Sequence, residues 1–77
     1  MTMKEIVLKI LSESHPEFDF NSNGINLIEE GILDSFDIVT LISDFEDQLG
    51  ISIAGTDVVP ENFETVDRII SLLNKSK

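Results

Sequence analysis

Ser35 is the residue of this chain best placed to take part in chemistry. Asp34 precedes it, and Phe36, Asp37, Ile38 and Val39 follow, with apolar positions that return at helical spacing. A serine at a helix start faces unpaired backbone N–H groups and the positive end of the helix dipole. A phosphate ester on that hydroxyl would sit where an anion is favoured. A self-activated nucleophile needs a base and a group to orient the base. Neither stands near Ser35 in sequence, and the single histidine, His15, lies far upstream against Pro16. Modification of Ser35 by another protein is therefore expected, and catalysis by the chain itself is not. The same Asp-Ser pair also reads as an ordinary helix cap.

A second constellation belongs to a different class of function. Asp19, Asn21, Asn23, Gly24 and Glu30 satisfy the calcium-loop pattern D-x-[DN]-x-[DN]-G-x5-E, with oxygen ligands and the glycine at the required places. That motif needs a helix running into its first residue, and Pro16 interrupts the chain just before Asp19. Asn26 stands where the motif wants an apolar residue, and an exit helix would have to pass through Gly31. Asp19 and Glu30 would be the charged ligands, too few for tight binding. A resident metal is not expected.

Bulk composition narrows the remaining classes. The chain has 77 residues, 42% of them apolar, which suits one globular domain spanning 1–77. It has no cysteine, so neither a disulfide framework nor a thiolate metal site is available. No apolar run is long enough to insert in a bilayer, and the N-terminus lacks a leader pattern. A cytoplasmic monomer is expected. Fifteen acids against five bases leave a net charge of −10. Nucleic acid is excluded as a partner, because phosphate contacts need clustered Lys and Arg. Proteins with basic docking patches fit instead, and an acidic helical interaction domain with no group attached to Ser35 would bind them too, although a solvated acidic surface needs no partner at all.

The elements that must position Ser35 follow from periodicity. Met3, Ile6, Val7, Ile10 and Leu11 mark a first helix with Thr2 as its N-cap, ending between Ser12 and Pro16. His15 is expected in the loop beyond it. Residues 16–34 form a long connection. Its apolar residues Phe18, Phe20, Ile25, Leu27, Ile28, Ile32 and Leu33 are too irregular for one helix, and a turn falls at Asn21-Ser22-Asn23-Gly24. So long a loop in so small a domain should be packed down. A second helix begins at Asp34-Ser35, buries Val39, Ile42, Phe45 and Leu49 with Ile38 and Leu41 beside them, and is capped by Gly50. A short helix is expected near Asp57 to Asn62, limited by Pro60. The last helix carries Val66, Ile69, Ile70 and Leu73, with Thr65 as N-cap and Lys75 and Lys77 at its negative end. The expected fold is all-α: a small four-helix bundle of three main helices and one short one, with a long packed first loop.

Gly31-Ile32-Leu33-Asp34-Ser35 followed by Phe36 resembles the attachment site of acyl carrier and peptidyl carrier proteins. The likeness continues through Phe45-Glu46-Asp47-Gln48-Leu49-Gly50-Ile51, Ile53, Pro60-Glu61-Asn62-Phe63 and Thr65-Val66-Asp67-Arg68-Ile69-Ile70. It implies that Ser35, next to Asp34, bears 4'-phosphopantetheine, whose thiol holds an acyl group as a thioester. It also implies a phosphopantetheinyl transferase, an acyl- or aminoacyl-adenylating ligase and acyltransferases as partners, and the second helix as their docking surface. Asp37, Asp44 and Asp47 would face those partners, and Phe36 and Val39 would meet either a partner or the core. Phe36, Thr40 and Ser43 depart from the usual fatty-acid carriers, which have leucine, glutamate and a larger apolar residue there. The site is more similar to D-alanyl carriers and stand-alone peptidyl-type carriers than to carriers of fatty acid biosynthesis.

Overall fold

The computed structural model describes residues 2–21 and 24–77. Three α-helices run in chain order, α1 at Met3–Ser14, α2 at Ser35–Leu49 and α3 at Val66–Lys75, and no strand occurs among the described residues. Each helix starts where a side chain satisfies a free backbone N–H. Thr2 accepts from the Glu5 N–H at the start of α1, and Glu5 answers by accepting from the Thr2 N–H. Thr65 accepts from the Arg68 N–H and starts α3. Gly50 closes α2 in the left-handed region at φ 64°, with its N–H on the Glu46 carbonyl, a conformation that a Cβ penalises.

One apolar cluster joins all the elements. Val7, Ile10 and Leu11 of α1 meet Ile38, Leu41 and Phe45 of α2 and Ile69, Leu72 and Leu73 of α3. The connection after α1 is packed down as expected, with Phe20, Leu27 and Leu33 buried and Phe18, Ile25, Ile28 and Ile32 against them. It is tied to the chain ahead of α3 by the Leu27 N–H, which donates to the Glu64 carbonyl at 2.7 Å. The turn signal around Gly24 falls partly on residues outside the described set. Gly24 itself takes the expected positive φ of 77°.

Two expectations change. The short fourth helix is instead two 3-10 turns, Gly55–Asp57 and Pro60–Phe63. Pro60 opens the second turn, where its missing N–H costs nothing. The buried stripe of α2 does not include Val39, which is 67% exposed. At about 100° per residue, Val39 lies roughly 160° around the helix from Leu41, the centre of the buried face. Ile38, Leu41 and Phe45 carry the burial, and Ile42 and Leu49 are partly covered.

Candidate functional site

The site is assembled immediately before α2. Asn26 starts a tight turn by accepting, at its side-chain oxygen, the N–H groups of Ile28 and Glu29, each at 3.0 Å. The Leu27 carbonyl then accepts from both Ile32 and Leu33 at 3.0 Å. Gly31 makes the reversal in the left-handed region at φ 74°. Leu33 is thereby buried as an anchor, and Asp34 and Ser35 are presented outward.

Asp34 and Asp37 form a reciprocal capping box. The Asp37 N–H donates to Asp34 Oδ1 at 2.9 Å, and the Asp34 N–H donates to Asp37 Oδ2 at 3.2 Å. Ser35 stands between them as the exposed first residue of α2. The Asp37 N–H is taken by Asp34 and the Ile38 N–H by the Asp34 carbonyl. The Ser35 and Phe36 N–H groups are the first-turn donors left for an anion. Both aspartates turn carboxylate oxygens toward backbone N–H groups, which tempers their repulsion toward a phosphate on Ser35. The residues present therefore fit a phosphodiester at this serine.

Phe36 is 78% exposed, and with Val39 it makes up the large exposed apolar surface among the described residues. Thr40 and Ser43 are exposed on the same helix, the Thr40 hydroxyl donating to the Phe36 carbonyl. Asp44 is half-buried and Asp47 exposed. Sequence reasoning missed three contacts. Asp37 is a capping residue as well as a surface acid, a role legible in the Asp-x-x-Asp spacing. Glu46 is not turned to solvent alone, since it accepts the Ile53 N–H at 2.9 Å and holds the segment after α2. His15, expected as a plain loop residue, caps α1 and brings Nε2 to 3.4 Å from Asp37 Oδ1; nothing local in the sequence announces that pairing.

The calcium-loop geometry is missing. Residues 16–21 are turn and bend, so no helix enters at Asp19, and Asp19 Oδ1 accepts the Asn21 N–H. Glu30 sits in the Asn26–Ile32 turn, not at the start of an exit helix. Asn23 lies outside the described residues. No cluster of three or more His, Cys, Asp or Glu that could hold a metal occurs among the described residues. No helix there is long and apolar enough to cross a membrane.

Fold and site together define a small all-helical domain that displays a hydroxyl at a capped helix start. Residues 2–73 match the family profile described as phosphopantetheine attachment site. D-alanyl carrier proteins of Bacillus cereus (strain B4264) and Bacillus anthracis (strain CDC 684 / NRRL 3495) are 36% identical over 73 residues, covering 94% of this chain and 92% of theirs. No solved structure matches significantly. The chain belongs to the phosphopantetheine-attachment family: it is a carrier protein that holds its cargo on a 4'-phosphopantetheine arm.

Proposed function

We propose that Ser35 is the residue that bears the arm, and that residues 1–77 work as one carrier domain. The observation that carries this is the placement of Ser35. It is exposed at the first position of α2, inside a closed capping box, with two first-turn N–H groups free beside it. When bound, the arm supplies a thiol that holds cargo as a thioester. The chain's own residues do the rest. Asp34 and Asp37 fix the helix start, and the first-turn N–H groups favour the phosphate charge. The domain performs no catalysis itself, because the base that activates the serine belongs to a phosphopantetheinyl transferase.

The cargo we propose is D-alanine or a similar small amino acid, activated by an aminoacyl-adenylating ligase. Supporting this are the D-alanyl carrier relatives and the polar Thr40 and Ser43 on α2. Partners dock on α2. Phe36 and Val39 enter an apolar pocket, and Asp44 and Asp47 meet a basic rim on the ligase or acyltransferase. The protein works as a cytoplasmic monomer, and the two 3-10 turns take the place of a fourth helix in its bundle.

Intact mass measures the reading directly. With coenzyme A and a broad-specificity phosphopantetheinyl transferase, the wild type should gain one phosphopantetheine and Ser35→Ala none. Equal gain in both proteins, or none in either, rejects Ser35. The holo protein with ATP and a D-alanine-activating ligase should then gain one D-alanyl group and stay unloaded with fatty acid and a fatty-acyl ligase. Loading with fatty acid alone would reverse the cargo assignment.

A further inference from the structure

His15 has no role in the carrier reading, yet it touches the site. It is the C-cap of α1, its N–H on the Leu11 carbonyl, and Pro16 follows. The imidazole lies beside Phe20 of the connection, ring centroids 6.3 Å apart. From there it reaches α2, Nε2 standing 3.4 Å from Asp37 Oδ1 with the His15 side chain 18% exposed. Nε2 is shielded from solvent and makes no well-aligned hydrogen bond. A proton on Nε2, in the neutral Nε2–H tautomer or in the imidazolium, makes this approach to Asp37 Oδ1 attractive, and an unprotonated Nε2 makes it repulsive. The imidazolium makes it an ion pair, stronger than the contact of a neutral ring.

The other oxygen of Asp37, Oδ2, accepts the Asp34 N–H, and Asp34 Oδ1 accepts the Asp37 N–H. Any pull on Asp37 therefore acts on the box that frames Ser35. Asp37 is the charged group within ion-pair reach of His15 among the described residues. α1 and the connection bring no acid or base to the ring. Glu13 and Glu17 flank His15 in sequence and are exposed, and Phe20 supplies only its ring.

We propose that His15 is a positioning residue for the attachment serine, its protonated ring clamping Asp37 so that the end of α1 holds the start of α2 in the form that accepts the arm. The proposal rests on Ser35 being the attachment residue. It makes arm transfer sensitive to pH through this carrier as well as through the transferase.

The test compares initial rates of arm transfer from coenzyme A for wild type, His15→Gln and Ser35→Ala at a series of pH values. The ratio of wild type to His15→Gln cancels the transferase's own pH dependence. That ratio should be about two- to fivefold where the ring resonances show His15 charged, and should fall where they show it neutral. A ratio that is flat with pH, whatever its size, overturns the proposal, because a purely structural histidine would give that. Transfer onto Ser35→Ala would instead overturn the attachment reading. A second measurement needs no variant. In a 15N-labelled wild type titrated from about pH 8 to about pH 6, the Asp34 and Asp37 amide resonances should move in step with the His15 ring protons. Amides that stay still while the ring titrates overturn the proposal as well.

Discussion

Asp34 and Asp37 sit three residues apart, and each uses its carboxylate to satisfy the other's backbone. In an acidic chain they look like two more charges for a partner to read. Their geometry instead makes them the frame of the helix start. Asp34→Ala removes the acceptor for the Asp37 N–H and should cost about 1 kcal/mol, while Asp34→Asn, which keeps a side-chain oxygen, should cost only about a few tenths. Urea denaturation of the apo protein measures both. Arm transfer should slow more in Asp34→Ala than in Asp34→Asn if helix order matters, and equally in both if the transferase reads the charge. The serine we propose as the attachment residue could be picked out from the sequence, because Gly31 to Phe36 is a local pattern. The contact of His15 with Asp37 was not, because it depends on where a long connection of irregular apolar spacing returns the chain.

The helices were legible for the same local reason. Apolar spacing, Thr2, Thr65 and Gly50 all act within one turn of their own position. What failed were statements about direction in space. Val39 shares an apolar type with Ile38 but faces away from the core, and its type alone does not say which. Lys75 does stand in the last turn of α3, where it complements the dipole, and only its reach to Asp57 of the first 3-10 turn at 2.9 Å went unread. Gly50→Ala tests an element end. An added Cβ meets nothing within 4 Å, so the cost is backbone strain alone, about 1 kcal/mol or a fall of about 4–8 °C in Tm. The start of α1 gives a pH test. Hydrogen bonds from the Thr2 N–H, and secondarily from its hydroxyl, hold the Glu5 carboxyl below its ordinary value. A lowered folded-state value means the contribution is present above the usual carboxylate range and lost as pH falls through the folded value. Glu5→Gln should therefore be less stable than wild type at neutral pH, and the gap should narrow in acid. A gap unchanged with pH would assign the effect to packing.

Across the whole molecule the charge is segregated. Of fifteen acids, all but Glu5 lie between Lys9 and Arg68, a stretch with no Lys or Arg. The five bases ride on α1 and α3 and the residue region beyond α3, and two are paired, Lys75 with Asp57 and Arg68 with Glu64. α2 and the connection therefore present an uncompensated negative field around Ser35, with Phe36 and Val39 as the apolar surface inside it. Long-range fields act on encounter, whereas a desolvated apolar anchor acts on escape. With an adenylating ligase whose docking rim is basic, raising salt from about 0.05 M to about 0.5 M should slow association by about tenfold and leave dissociation nearly unchanged. Asp44→Asn with Asp47→Asn should flatten that salt dependence. Phe36→Ala should leave the slope intact and speed dissociation about tenfold or more, as expected for loss of a central aromatic anchor. Stopped-flow binding at several salt concentrations separates the two effects. Association insensitive to salt, or a Phe36→Ala variant with unchanged dissociation, would move the docking surface off α2 altogether.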